Sequence, residues 1–206
     1  MTYFFIAGAI LLAALAAWQG LRGLGRHRLM QLARELEDFP GAESAESQLP
    51  GRPLELAPVL DTTLSWFRSA AERKSLQLIR NLPDDLPQVV ANSVSLQQIL
   101  YCLLDNAITH TRDGYVEVSA VHLPEVEENG RSMVLVQVTD TGAGMTAAQV
   151  AGLWRKLEQR RRHLQGAEIG LDLLRARDLV RQQGGDLSVR SEPQQGSTFA
   201  FTLPAV

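Results

Sequence analysis

The hydrophobic and polar positions of this chain follow one period after another, and each change of period marks an element. Thr2 to Leu21 carry no charge. About 20 residues rising about 1.5 Å each match the roughly 30 Å of a hydrocarbon layer, so one transmembrane helix is expected over residues 1–22. Leu29, Leu32, Leu36 and Phe39 then recur at helical spacing in RHRLMQLARELEDF. That narrow stripe suits a second copy in a homodimer as well as it suits lipid or the chain's own domain. PGAESAESQLPGRP breaks the periodicity with Pro, Gly and Ser, which makes 23–52 a juxtamembrane helix and linker and leaves 53–206 as a globular domain.

Within that domain Val59, Leu60, Leu64, Phe67 and Ala71 share one helix face. Leu76-Gln77-Leu78-Ile79 reads as a strand and DDLPQVVAN as the approach to the next helix. In LQQILYCLLDNAITHT, Leu96, Ile99, Leu100, Leu103 and Ala107 form a core stripe, while Gln98, Cys102, Asn106 and Thr109 form a second stripe that faces a ligand. YVEVSAVH and SMVLVQVT alternate with period two around an acidic loop, Glu125 to Gly130, and predict an antiparallel pair. LSVRS and STFAFTL, split by EPQQG, predict another. Together these predict an α+β fold: a two-layer α/β sandwich, with a mixed, mostly antiparallel sheet and helices on one face, preceded by one transmembrane helix.

Composition narrows the setting. The 206 residues are 45% hydrophobic, enough for one core of roughly 150 residues. Ala14-Leu15-Ala16 offers a small-residue cleavage site, but no Lys or Arg precedes the apolar run, whereas Arg22, Arg26, Arg28 and Arg34 follow it. An uncleaved anchor in the inner membrane is therefore expected, with the C-terminal domain in the cytoplasm and the arginines near anionic lipid. The lone Cys102 cannot close an internal disulfide. A net charge of −3 gives no general basic field, so nucleic acid is not an expected partner.

Candidate chemistry lies at two places. Magnesium is a hard cation that takes oxygen ligands, and the Asn106 amide on a pocket-facing helix can supply one. Asp140 ends a strand, where its carboxylate can accept from the exocyclic amine of adenine, and Gly142 and Gly144 let the backbone approach a base closely. Taken singly, Asn106 could equally bond the local backbone, and Asp140-Thr141-Gly142 could be an ordinary turn.

The Asn106 helix, the stretch DTGAGM, the segment GAEIGLDLLRARDLV and the closing GGDLSVRSEPQQGSTFAFTLP together resemble the Bergerat-type ATPases of gyrase, heat-shock chaperones, MutL-like proteins and histidine kinases. From about Pro53 to Pro204 the chain looks closest to the catalytic ATP-binding domain of sensor histidine kinases. The resemblance implies ATP and Mg2+ as ligands. It implies a nucleotide-binding set of Asn106, His110, Asp140, Gly142, Gly144, Met145, Gly166, Gly170, Leu171 and Thr198, with Asn106 also the metal ligand and no residue singled out as catalytic. Gly170 opens a helix whose N-terminal amides can hold a phosphate. Trp154 and Leu157 stand where the family has two lid phenylalanines, in a short basic lid with Arg155, Lys156, Arg160, Arg161, Arg162 and His163, a run that could equally be a solvated helix face.

Three positions depart from the family. Cys102 replaces an Asn or a catalytic Glu, Thr109 replaces a frequent phosphate-contacting Lys, and Glu168 replaces a glycine. A carboxylate about 4 Å from a phosphate charge costs up to about 4 kcal/mol at an effective dielectric near 20. Nothing before the domain matches the family's phosphoacceptor segment, and His27 lacks its acidic neighbour and proline. Ordinary autophosphorylation is thus not expected. These features describe a membrane-anchored, histidine-kinase-like ATP-binding protein of two-component signalling. It acts with a response regulator or histidine kinase, and any phosphoryl acceptor lies on another chain. Two alternatives stay open: a degenerate kinase domain that docks without turnover, and a serine kinase of the anti-sigma-factor type.

Overall fold

The computed structural model describes residues 51–126, 131–163 and 171–206. In chain order the elements are β1 (Arg52–Leu54), α1 (Leu56–Arg73), β2 (Gln77–Asn81), β3 (Val89–Ala91), α2 (Ser93–His110), β4 (Tyr115–Val126), β5 (Arg131–Asp140), α3 (Ala147–His163), α4 (Leu171–Gln182), β6 (Leu187–Glu192) and β7 (Gly196–Pro204).

α1 buries Leu56, Leu60, Thr63, Phe67 and Ala71, one residue per turn, which is why the stretch is helical and why it docks. It ends at Lys74, whose backbone N–H returns to the Ala71 carbonyl at 3.0 Å, and the left-handed Ser75 (φ 56°) turns the chain into β2. α2 begins at Asn92, whose side chain accepts from the Ser95 N–H at 3.0 Å. The expected stripe of Leu96, Ile99, Leu100, Leu103 and Ala107 is buried, and Leu104 and Ile108 widen it. That wider arc reflects contact with α1 and α4 as well as with the sheet.

The main sheet has five strands in the order β2-β4-β5-β7-β6; β2 runs parallel to β4 and every other pair is antiparallel. Period-two alternation sends Val116, Val118 and Ala120, then Val134, Val136 and Val138, then Phe199, Phe201 and Leu203 to the helix-covered face. Each of the Val, Leu and Phe side chains contributes about 1.5–3 kcal/mol on burial. The register places Val138 opposite Phe199 and Asp140 opposite Ser197. DDLPQVVAN holds more than an approach to a helix: Val89–Ala91 is a strand that pairs antiparallel with Arg52–Leu54 in a separate two-stranded sheet.

The two-layer α+β sandwich is as expected, but the membrane span placed before it is corrected. Among the described residues no helix is long and apolar enough to cross a membrane. α1 and α3 have charged outer sides, with Arg68 and Glu72 on α1 and Arg155 and Lys156 on α3. The apolar run and the amphipathic segment after it lie outside the described residues.

Candidate functional site

Asp140 is the last residue of β5 and only 3% exposed, on the inward face in line with Val138 and Val136. Burial pushes its carboxyl above the usual value by disfavouring the charged form. The Gly142 and Ser197 backbone N–H groups, the nearby His110 charge and the Thr111 hydroxyl oppose that rise. Gly142 donates to Asp140 Oδ1 at 2.8 Å, which leaves lone pairs of the carboxylate for a ligand. The Thr111 hydroxyl, fully buried at the end of α2, has a single proton and shares it with the Ala107 carbonyl at 2.7 Å.

The glycines of the following loop are explained by contact distances. A Cβ on Gly142 would lie 2.6 Å from the His110 carbonyl oxygen, so a side chain here would drive the loop off the end of α2. Gly144 adopts φ +64°, and a Cβ on it would lie 1.8 Å from the Glu192 carbonyl oxygen. The β6–β7 turn straps this loop down. Gln194 N–H donates to the Ala143 carbonyl at 2.8 Å, and Met145 N–H donates to Ser191 Oγ at 2.8 Å. Thr146 then starts α3 with a reciprocal cap, its N–H donating to Gln149 Oε1 at 2.8 Å while Gln149 N–H donates back to Thr146 Oγ1 at 3.3 Å.

These contacts bring Asp140, Gly142, Gly144, Met145 and His110 together. Asn106 lies one turn before His110 on the same helix, half-buried, and no hydrogen bond joins its amide to another described residue. An amide oxygen without a partner among the described residues suits a magnesium ion that takes its other ligands from phosphate and water. Among the described residues no group of three His, Cys, Asp or Glu could hold a metal alone. Thr198 points away from Asp140: it pairs with Thr139, their hydroxyls 3.1 Å apart, on the opposite face of the sheet. Gly166 and Gly170 lie outside the described residues, as does Glu168. Leu171 is the first residue of α4.

Cys102 is a buried core residue, 8% exposed, while Thr109 is exposed. The stretch with the lid-position residues is the continuous helix α3, with Trp154 and Leu157 packed against the core. The Arg177 guanidinium of α4 stacks over Trp154 at 4.7 Å and stands 3.9 Å from Glu158.

Sequence reading missed Ser191, Ser197, Thr111 and Lys74. Alternation in LSVRS carried a signal for Ser191, a polar residue in phase with Leu187 and Val189. A cavity of about 600 Å³ includes Asp140, Ser191, Gly196, Ser197 and Thr198 in its walls, together with Val150 and Ala151 of α3. Asn106 and His110 are not among its walls, so it is the part of the site nearest the β6–β7 turn.

A family model described as histidine kinase-, DNA gyrase B-, and HSP90-like ATPase matches residues 91–206. The chain is 33% identical over 178 residues to the sensor protein GacS of Pseudomonas syringae pv. syringae, covering 85% of this chain and 19% of that protein. It is 31% identical over 183 residues to the adaptive-response sensory kinase SasA of Synechocystis sp., covering 87% and 46%. The crystal structure of full-length ShkA in complex with AMPPNP superposes with a TM-score of 0.66 at 22% identity, covering 88% of this chain and 39% of that one. This chain therefore spans less than half the length of these relatives.

Proposed function

From a chain that belongs to the histidine kinase-, DNA gyrase B- and HSP90-like ATPase family, we propose a protein that binds Mg-ATP and serves two-component signalling with a response regulator or histidine kinase. The observation that carries the nucleotide is Asp140, a buried carboxylate fixed by the Gly142 N–H with acceptor capacity to spare. It would accept from the adenine amine. Gly142 and Gly144 would admit the base, and Asn106 would hold magnesium. Bound magnesium neutralises charge that develops on the phosphates during phosphoryl transfer. Any transfer would rest on positioning and electrostatics, since the buried thiol of Cys102 stands one turn before Asn106, where no general base is supplied.

That same position favours a second reading, a domain that binds nucleotide as a docking signal with little turnover. Calorimetric titration of Mg-ATP into the full chain tests the first claim. Saturable binding is expected, weakened about tenfold or more by Asp140→Asn, because a hydrogen bond to a charged group is worth about 1.5–3 kcal/mol. A folded wild-type chain that does not bind millimolar Mg-ATP refutes it. Radiolabel transfer to a partner then separates the kinase from the docking module, and acid stability of the label marks the serine kinase.

A further inference from the structure

β2 is an edge strand whose one neighbour among the described residues is β4. Gln77 N–H donates to the Gly114 carbonyl at 3.0 Å. Gln77, Ile79 and Asn81 therefore turn their backbone groups toward β4, and the alternate residues, Leu78 and Arg80, turn theirs outward. Beside that open edge lies a cavity of about 510 Å³, lined by Leu76 ahead of β2, by Leu78 and Arg80 of β2, and by Asp61, Leu64, Arg68, Ala71 and Glu72 of α1. It shares no residue with the cavity beside Asp140.

Two contacts fix the direction of α1 along this edge. Asp61 Oδ1 stands 3.3 Å from Arg80 Nε, and Leu76 N–H donates to the Ala71 carbonyl at 3.0 Å, so α1 runs opposite to β2. Leu64, Arg68 and Glu72 then follow one another from the Arg80 end toward the Leu76 end, each about 6 Å from the last. Alternate residues of an extended strand are about 6.6 Å apart, so side chains on one face of an added strand keep step with those helix positions. Arg80 is paired with Asp61, whereas Arg68 and Glu72 have no ion-pair partner among the described residues. They line the groove as one unmatched cation and one unmatched anion.

We propose that this edge docks an extended segment of a partner protein, which pairs antiparallel with β2 and carries an aliphatic, an acidic and a basic residue at alternate positions, in that order. Antiparallel addition gives the stronger pairing per residue. The backbone groups of Leu78 and Arg80 supply the hydrogen bonds. The aliphatic side chain lies against Leu64 and Leu78, the carboxylate meets Arg68, and the basic group meets Glu72.

The test adds to the full chain a capped peptide with Val, Glu and Lys at alternate positions between threonines. No nucleotide is present, so the result is independent of the nucleotide reading. Amide exchange at Leu78 and Arg80 should slow at millimolar peptide. Arg68→Glu, at an exposed position, should weaken the peptide about fivefold, the upper range for one exposed ion pair, and replacing the peptide's Glu by Lys should restore binding to that variant. A loss of fold would weaken both peptides alike. If Arg68→Glu melts early, Glu72→Lys carries the test, with the peptide's Lys replaced by Glu as the restoring change. Unchanged exchange at the two amides, or equal binding of the peptide to wild type and to a folded Arg68→Glu protein, overturns the proposal. Protection of both amides before peptide is added means that the edge already has an occupant: a second copy where protection grows with protein concentration, the chain's own N-terminal segment where it does not. Either overturns the proposal.

Discussion

Lys74→Met removes the cation at the end of the helix that carries Asn106 and His110. The Lys74 ammonium donates to the carbonyls of Ile108 at 2.6 Å, Thr109 at 3.1 Å and Thr111 at 3.1 Å. These belong to the last turn of α2 and its cap, where a helix leaves carbonyls without internal partners and carries partial negative charge. Met keeps the apolar stem and deletes the charge. The Thr109 contact is exposed and water can replace it, while those to Ile108 and Thr111 are part-buried. One or two charged hydrogen bonds at about 1.5 kcal/mol each place the loss at about 1.5–3 kcal/mol. For a unit of about 150 residues that lowers the melting temperature by about 3–12 °C. Denaturant unfolding of wild type, Lys74→Met and Lys74→Arg measures it, with Arg expected to recover part of the loss. A change below about 0.5 kcal/mol, the range of an ordinary surface substitution, would refute the capping role.

The rise in the Asp140 carboxyl has two consequences of opposite sign. The ionised form accepts from adenine, so Mg-ATP affinity should fall as pH drops through a midpoint above the ordinary 3.8, and titrations at several pH values should show Asp140→Asn without that dependence. The unliganded fold binds this proton more tightly than the unfolded chain does, so the group's contribution to stability is full below the unfolded value and is lost as pH rises through the folded one. A stability–pH slope that Asp140→Asn leaves unchanged would contradict this. Gly144→Ala combines a left-handed φ with a Cβ 1.8 Å from the Glu192 oxygen, and denaturation should show a loss of about 3 kcal/mol; a loss under about 1 kcal/mol would mean the loop moves freely off the β6–β7 turn. A double-mutant cycle of Trp154→Leu with Arg177→Met should give a coupling of about 0.5–2 kcal/mol for the stacked pair, and additivity within about 0.3 kcal/mol would show that α3 and α4 are not tied there.

Most of the elements were legible because they are written in local period. The 3.6-residue stripe of α2 and the alternation of β4, β5 and β7 each occupy consecutive residues, and the core they predicted is the core found. Asp140 and its glycines were legible for a similar reason, since the strand end, the turn and the close approach lie within a few residues. Ser197 shows the limit. A one-residue difference in a strand reverses the face, and the ladder that puts Ser197 opposite Asp140 is a pairing between chain segments.

The sequence by itself determined most stretches of helix and strand, though not β1 and β3, which faces are apolar and where a carboxylate at a strand end meets a glycine turn. The tertiary structure alone decided that β2 joins β4 in parallel, that β1 pairs with β3, and that Lys74 reaches the end of α2 across 34 residues. It also brought Ser191 to Met145 across 46 residues. A hydrogen bond needs a partner within about 3 Å whatever the separation along the chain, and no local period encodes which distant carbonyl or hydroxyl that partner will be.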